Sequence, residues 1–227
     1  MRNPRILSVG LYNTKIVSCI SNFQTMKRLN VYIDGFNLYF GMVDAGFTNC
    51  KWLDIHLLAN NLKESGHQLK DVKYFTSRIT NNPDKQQRQS DYLDALGTTP
   101  VSIIYGQFRN RDTTCNRCGH IWADPKEKMT DVNIATQLMV DAFKDEFDVA
   151  FLISGDSDLV PPLKSVRSLF PKKEVWIVFP PKRESYELKN NASGSFVIGR
   201  KKLESSQLPG VVTSKYGVDL KRPDVWQ

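Results

Sequence analysis

The stretch VAFLISGDSDLVPPL, residues 149–163, decides the fold class of this chain. Its first residues, VAFLIS (149–154), are apolar or small and predict a buried strand, and a helix is predicted from about residue 158 to residue 169. Between the two lie Asp156 and Asp158, two residues apart. A strand followed by a turn and a helix is typical of α/β proteins, and paired negative charge at the edge of a core indicates a function.

The same alternation of strands and helices extends in both directions from that stretch. Strands are predicted over residues 29–33, 72–79, 101–108, 149–154, 175–180 and 195–199, and helices over 37–46, 53–66, 83–97, 130–146 and 158–169. The segment from about residue 109 to Lys128 is predicted to be irregular. Because strands separated by helices pair in parallel, we expect an α/β fold, a three-layer α/β/α sandwich with a mainly parallel central sheet.

The two ends of the chain are expected to lie outside this domain. Residues 1–27 show no clear amphipathic period and are predicted to be an N-terminal extension, with Met26 as the natural start. The domain is predicted over residues 28–208, with an insertion near 109–126, and residues 209–227 are predicted to be a C-terminal tail or peripheral loops.

Composition narrows the class of protein. The 227 residues are 41% hydrophobic and 24% charged, as in soluble globular domains. No apolar run is long enough for a membrane span, Asn13 and Lys15 interrupt any apolar core of a signal peptide, and four cysteines suit a reducing compartment. We therefore expect a cytoplasmic protein with no membrane partner. The net charge of +7 suits a polyanion such as nucleic acid.

Acidic residues follow two of the predicted strands. Asp34 comes directly after VYI, with Asn37 close behind it, and Asp156 and Asp158 follow the strand at 149–154. Because the carboxyl ends of parallel strands open at one edge of the sheet, we expect these side chains to meet there. Asp131 is expected to join them, because Ala135, Leu138 and Ala142 continue its stripe along the helix at 130–146 and predict that it points inward.

Four converging carboxylates would repel one another strongly unless a cation lies between them. Oxygen ligands favour Mg²⁺ or Mn²⁺ over zinc, and such an ion can activate water and stabilise charge on a phosphodiester. The simpler alternatives are that Asp131 and Asp158 cap helices and that Asp34 belongs to a turn. Four further acidic residues are expected on solvated helix faces, namely Asp91, Asp94, Asp141 and Asp145.

Three motifs taken together resemble a known family. They are VYIDGFNLYFG (31–41), EKMTDVNIATQLMVDAF (127–143) and DVAFLISGDSDLVPPL (148–163), in that order. They resemble an NYN domain of the PIN-like nuclease superfamily, in its LabA-like branch, over about residues 28–208. The resemblance implies a PIN-like Rossmannoid fold and metal-dependent ribonuclease activity. It also implies a metal site supported by Ser154 and formed by Asp34, Asn37, Asp131, Asp156 and Asp158.

A second metal site is suggested by CNRCGHIW (115–122), which resembles a zinc knuckle. Cys115 and Cys118 are half of a zinc site, and His120 is a candidate third ligand that lies very close in sequence. The alternatives are a degenerate knuckle, a zinc site completed by distant residues, a site shared between two subunits of a homodimer, or a loop with two free thiols.

Basic residues near these motifs suggest an RNA path. Arg109 and Arg111 precede the cysteines, and Lys182 and Arg183 follow the strand at 175–180. We expect these four side chains to contact the phosphates of RNA, with single-stranded RNA as the favoured partner.

These observations predict a Mg²⁺- or Mn²⁺-dependent endoribonuclease. The first alternative is a non-catalytic RNA-binding or interaction module that keeps the acidic site. The second is a metal-dependent phosphatase that acts on small phosphate esters. Catalysis by a serine or cysteine nucleophile is not supported, because the three histidines lie outside the acidic motifs.

Overall fold

The computed structural model describes residues 26–80, 82–114 and 117–226, with the backbone alone over 107–114 and 121–128. The predicted N-terminal extension therefore lies outside the described residues up to residue 25, and so does Cys115. The first described strand already begins at Lys27.

The described residues form ten strands and seven α-helices. The strands are β1 (Lys27–Asp34), β2 (His67–Thr76), β3 (Ser102–Tyr105), β4 (Gln107–Thr114), β5 (Ile121–Lys128), β6 (Val149–Ile153), β7 (Glu174–Phe179), β8 (Gly194–Val197), β9 (Val211–Thr213) and β10 (Asp219–Lys221). The helices are α1 (Gly35–Asp44), α2 (Ile55–Leu62), α3 (Pro83–Leu96), α4 (Thr130–Phe143), α5 (Val160–Leu169), α6 (Tyr186–Asn191) and α7 (Arg200–Glu204). In the described part of the chain, no helix is both long and apolar enough to cross a membrane.

The central sheet has six strands in the order β3-β2-β1-β6-β7-β8, and every neighbouring pair is parallel. The side chains of successive strand residues point to opposite faces, so Val31 and Ile33 join one core cluster and Tyr32 joins the other. The first cluster contains the buried faces of α1, α2, α3 and α7, and the second contains those of α4, α5 and α6. The predicted three-layer sandwich with a parallel central sheet is confirmed.

Local signals explain where several helices begin. The Asn82 side chain accepts a hydrogen bond from the Lys85 amide, with Pro83 at the first helical position, so α3 begins as its sequence predicts. The Asp34 side chain caps α1 in the same way by accepting from the Asn37 amide. The last residue of β1 is therefore also the cap of the next helix, which makes the turn between them short.

The prediction that residues 109–128 are irregular is wrong. The strand expected over 101–108 ends at Tyr105, and β4 then pairs antiparallel with β5, from Gln107 opposite Lys128 to Thr114 opposite Ile121. This hairpin forms its own two-stranded sheet. Its sequence, QFRNRDTT and IWADPKEK, lacks the apolar alternation that marks a half-buried strand, so it gave no signal before the backbone pairing was known.

The segment expected to be a C-terminal tail contains structure of its own. Strands β9 and β10 pair antiparallel, and Trp226 is only 7% exposed. The Trp226 ring lies 6.3 Å from the Trp52 ring and 6.0 Å from the Tyr92 ring, measured between centroids. The end of the chain therefore packs against the α3 side of the domain.

The expectation that Asp141 is solvated is wrong. Asp141 is 4% exposed, and its carboxylate accepts hydrogen bonds from the Tyr32 hydroxyl at 2.7 Å, the Lys73 ammonium at 2.7 Å and the Gln137 amide at 2.8 Å. The buried stripe of α4 includes Ile134, Leu138 and Asp141, so this carboxylate faces the sheet. It lies there because the tertiary structure supplies a buried cation, which the helix sequence alone does not reveal.

Candidate active site

The site lies where the sheet changes direction. Strands β1 and β6 are neighbours, and the chain continues from β1 towards β2 on one side and from β6 towards β7 on the other. In open α/β sheets such a switch point leaves a crevice at the carboxyl ends of the strands, where ligands bind. Ile33 pairs with Ile153 at this end, so Asp34 and Ser154 follow two adjacent strand positions.

Asp34 is held by its neighbours on both oxygens. It is 5% exposed, its Oδ1 accepts from the Asn37 amide at 3.0 Å, and its Oδ2 accepts from the Ser154 hydroxyl at 3.0 Å. The first bond is the cap of α1, and the second links β1 to the loop after β6. The carboxylate therefore has a fixed orientation at the base of the crevice.

The loop after β6 is tied to the same carboxylate. The Ser154 hydroxyl also accepts from the Asp156 amide at 3.1 Å, and the Asn37 side-chain oxygen accepts from the Gly155 amide at 3.0 Å. One lone pair of the Asn37 oxygen is thus used to hold the loop, which leaves one for a ligand. Asp34, Asn37, Ser154 and Asp156 therefore form one hydrogen-bonded unit.

Four distant segments line one cavity of about 190 Å³. Its lining residues are Asp34, Phe36, Asn37, Phe40, Met129, Thr130, Asp131, Asp156 and Arg183. The structure thus brings together four of the five predicted metal-site residues, Asp34, Asn37, Asp131 and Asp156, with Arg183 beside them.

Asp131 reaches the cavity from the first turn of α4. The stripe of α4 that faces the core begins at Thr130, which is 4% exposed, and continues through Ile134 and Leu138. Asp131 lies at the edge of that stripe and is half-buried, which directs it to the cavity. Its position in the first turn also places its negative charge beside the positive end of the helix dipole.

Asp158 and Lys182 differ from the other predicted residues. Both are exposed, and neither is among the residues that line the cavity. The Asp158 amide donates to the Asp156 carboxylate at 2.9 Å, so Asp158 belongs to the 3-10 turn that follows the loop. Lys182 has left-handed backbone (φ 60°) in the turn that presents Arg183.

Arg183 brings a positive charge to the acidic cavity. Its guanidinium pairs with Asp44 at the end of α1, and the Arg183 amide donates to the Pro180 carbonyl at 3.1 Å. A Cβ on Gly155 would lie 1.8 Å from the Arg183 carbonyl oxygen, so only glycine allows the two loops to pack this closely. Arg109 and Arg111 lie on β4, where the backbone alone is described.

The aromatic residues of the cavity were missed by the sequence analysis. Phe36 and Phe40 lie one helical turn apart on α1, and their rings stack with centroids 6.2 Å apart. Their spacing beside the acidic motif was the available signal. Met129 was also missed, and its left-handed backbone (φ 77°) directly before α4 is a conformation that costs about 1 kcal/mol or more and clusters at functional sites.

The donor set suits a hard divalent cation. The side chains that could ligate one in this cavity are carboxylates and an amide oxygen, as Mg²⁺ or Mn²⁺ prefers. Among the residues described, no three acidic, histidine or cysteine side chains are close enough to hold one ion. Mg²⁺ is commonly held by one or two carboxylates together with water and substrate phosphate, so the cavity fits an open site completed by a phosphate.

The predicted zinc site is described only in part. Cys118 is an exposed free thiol, whereas Cys115 lies outside the described residues. The structure therefore leaves a zinc knuckle at this position as a prediction.

The chain is similar to a curated enzyme and to a protein of known structure. It is 27% identical to 6-hydroxy-3-succinoylpyridine 3-monooxygenase HspA of Pseudomonas putida over 62% of this chain and 56% of that protein, so it spans about half the length of this relative. It also resembles the crystal structure of a protein of unknown function from Vibrio parahaemolyticus, with a TM-score of 0.52 and 18% identity, over 77% of this chain and 94% of the other. At that identity the likeness supports the fold alone.

The family comparison agrees with the three motifs. The family model of the NYN domain matches residues 28–202, which include the carboxyl ends of β1 and β6 and the first turn of α4. The LabA-like branch stays a prediction. Because the match spans most of the chain, this protein belongs to the NYN domain family of the PIN-like nuclease superfamily.

Proposed function

We propose that this protein is a metal-dependent endoribonuclease that hydrolyses phosphodiester bonds of single-stranded RNA at the acidic cavity. The observation that carries the proposal is the convergence of Asp34, Asp131 and Asp156, from three distant segments, on one cavity at the switch point of the sheet. Membership of the NYN family implies a nuclease-like function related to RNA. The net charge of +7 favours a polyanionic substrate.

Within this proposal, Asp34, Asn37, Asp131 and Asp156 would hold Mg²⁺ or Mn²⁺. When bound, such an ion supplies stabilisation of charge on the phosphodiester and lowers the pKa of water. Ser154 acts as a positioning residue, because its hydroxyl donates to the Asp34 carboxylate and accepts from the Asp156 amide. Arg183 is the one cationic residue among the described residues that line the cavity, so its guanidinium would offset the negative charge of the three carboxylates towards a phosphate.

The test is cleavage of a labelled single-stranded RNA with Mg²⁺ or Mn²⁺, with and without EDTA. Asp156→Asn keeps the shape of the side chain and removes its charge, and Asp94→Asn on the exposed face of α3 is the matched control. We expect EDTA to abolish cleavage and Asp156→Asn to slow it on the order of a hundredfold, as when one preorganised charged group is lost. Cleavage that survives Asp156→Asn unchanged would refute the site.

One observation favours a second candidate, a non-catalytic RNA-binding or interaction module. Over the described ranges, no group of three acidic, histidine or cysteine side chains is close enough to hold a metal ion. If the protein binds RNA but does not cleave it with either Mg²⁺ or Mn²⁺, that result would support the non-catalytic module. Hydrolysis of a small phosphate monoester in preference to RNA would instead support a phosphatase.

A further inference from the structure

A second and larger cavity, here called the aromatic groove, adjoins the acidic cavity. Its volume is about 540 Å³, and it is lined by α1, the end of β2, α3 and Trp226. Phe36 and Phe40 line both cavities, so the two lie next to each other on either side of this pair of rings. Since Thr76 ends β2 and also lines the groove, the groove extends along the same carboxyl edge of the sheet.

The wall that separates the two cavities is aromatic and accessible. Phe40 is 46% exposed, although a phenylalanine on a helix of the domain is ordinarily turned to the core. Its ring stacks with Phe36 at an interplanar angle of 22° and meets Tyr39 edge to face at 5.3 Å. Such a surface offers a flat face on which a nucleobase can stack.

The lining of the groove also carries positive charge. Lys51, Lys85 and Arg88 line it, and within the described residues none of the three forms an ion pair with a carboxylate. The Lys51 ammonium lies 5.5 Å from the centre of the Tyr39 ring. Burial and the charge of Arg88 lower the pKa of Lys51, so two cations repel each other in a partly apolar setting. A bound anion would relieve that repulsion.

We propose that the aromatic groove binds the nucleotide next to the scissile phosphate of a single-stranded RNA, with the base against Phe40 and a phosphate between Lys51 and Arg88. This inference rests on the proposed function, because it places the scissile phosphate in the acidic cavity. The adjacency of the two cavities and the pairing of an aromatic surface with cations both suit an RNA strand.

The test measures binding of a fluorescent single-stranded RNA by anisotropy in EDTA, where no metal-dependent cleavage intervenes. Lys51→Ala/Arg88→Ala removes two charges from the groove, and Lys164→Ala/Lys172→Ala removes two exposed charges from the α5 side of the sheet as the matched control. We expect the groove variant to weaken binding about tenfold and to reduce the slope of log K against log salt by about 0.7, the value for one neutralised phosphate on a single strand.

A second variant tests the stacking surface and does not depend on charge. Phe40→Ala is expected to weaken binding about five- to a hundredfold, the range for one lost base stack. Its control is Phe143→Ala, which removes a ring that is 81% exposed at the end of α4. Groove variants that bind RNA as tightly as their controls would overturn the proposal. AMP that binds the wild-type protein as tightly as the RNA does would also overturn it, because the groove would then hold a free nucleotide.

The two proposals fail in different ways. If the wild-type protein cleaves RNA, and the groove variants bind and cleave RNA as well as the wild type does, the groove inference alone is refuted. If the wild-type protein binds RNA in EDTA, loses that binding in the groove variants and never cleaves RNA with either metal, the ribonuclease proposal alone is refuted.

Discussion

Replacing Gly155 by alanine should impair the site without removing any functional group. Gly155 lies between Ser154 and Asp156, and its amide donates to the Asn37 side chain. Its φ is not in the left-handed region, so alanine can adopt its backbone conformation. The effect of Gly155→Ala therefore comes from the space that the added methyl group needs.

That space is occupied by the backbone of Arg183. The new Cβ would lie 1.8 Å from the Arg183 carbonyl oxygen, whereas ordinary contact begins near 3.4 Å. The two loops must therefore separate by about 1.5 Å, because a backbone carbonyl cannot rotate away as the end of a side chain can. Overpacking of this kind costs about 1–3 kcal/mol of the free energy of unfolding, which a domain of ordinary stability survives folded.

The activity should fall further than the stability. A displacement of the loop moves Asp156 and Arg183 relative to Asp34, and misplacement by about 1 Å can slow catalysis on the order of a hundredfold. We therefore expect Gly155→Ala to be folded, destabilised by about 1–3 kcal/mol and slower in RNA cleavage by about a hundredfold.

The assays are urea unfolding followed by circular dichroism and cleavage of labelled RNA at saturating metal. The matched control is Gly66→Ala, because a Cβ at Gly66 would meet no atom within 4 Å and this glycine also lacks a positive φ. A Gly155→Ala protein with the stability and activity of the control would refute the proposed packing between the two loops.

Three further predictions concern ionisable side chains outside the candidate site, namely Asp141, Tyr32 and Asp148. Asp141→Ala should lower the free energy of unfolding in urea by about 3 kcal/mol, because the Lys73 ammonium loses its buried carboxylate partner and keeps the more exposed Asp71, and because the buried Tyr32 hydroxyl loses its acceptor; a loss below about 1 kcal/mol would contradict this. Burial and the hydrogen bond to Asp141 raise the pKa of Tyr32, so the folded state keeps a phenolic proton that the unfolded chain releases above about pH 10. The free energy of unfolding of the wild type should therefore fall as the pH rises past that value, and it should fall less steeply in Tyr32→Phe. The hydrogen bond from Arg28 lowers the pKa of Asp148 to about 2. The Asp148 carboxylate therefore stabilises the folded state fully above the unfolded pKa near 3.9, and this stabilisation is lost as the pH falls through about 2. In acid unfolding, the free energy of unfolding of Asp148→Asn should depend less steeply on pH over that range.

The local signals in the sequence predicted the parts of the fold that depend on short windows. The apolar run at 149–153 became a strand that is buried throughout, because parallel sheets are covered on both faces. Helix α3 begins at Pro83 and ends before Gly97, as its capping residues indicate. The β4–β5 hairpin was missed because its polar residues show no period, and the pairing of its strands depends on backbone hydrogen bonds.

Part of the candidate site was also predicted from local signals in the sequence, and part of it was not. Asp34 and Asp156 were predicted from their places after two strands, and the order of the sheet makes those strands neighbours. Asp131 was predicted to face inward, and the structure places it at the edge of the core stripe, where it lines the cavity. The aromatic groove was not predicted, because Phe40 and Arg88 lie on helices far apart in the chain, which only the tertiary structure places beside one cavity.

By itself the sequence determined the alternation of strands and helices, the acidic residues at the strand ends and the motifs of the family. Periodicity and capping act within one or two helical turns, so they can be read from neighbouring residues. Only the tertiary structure decided that Asp141 is buried against Lys73, that Trp226 packs on Tyr92 and that Arg183 stands beside the acidic cavity. These contacts join residues far apart in the chain, and their free energy depends on the burial and charge that exist only once the layers have packed together.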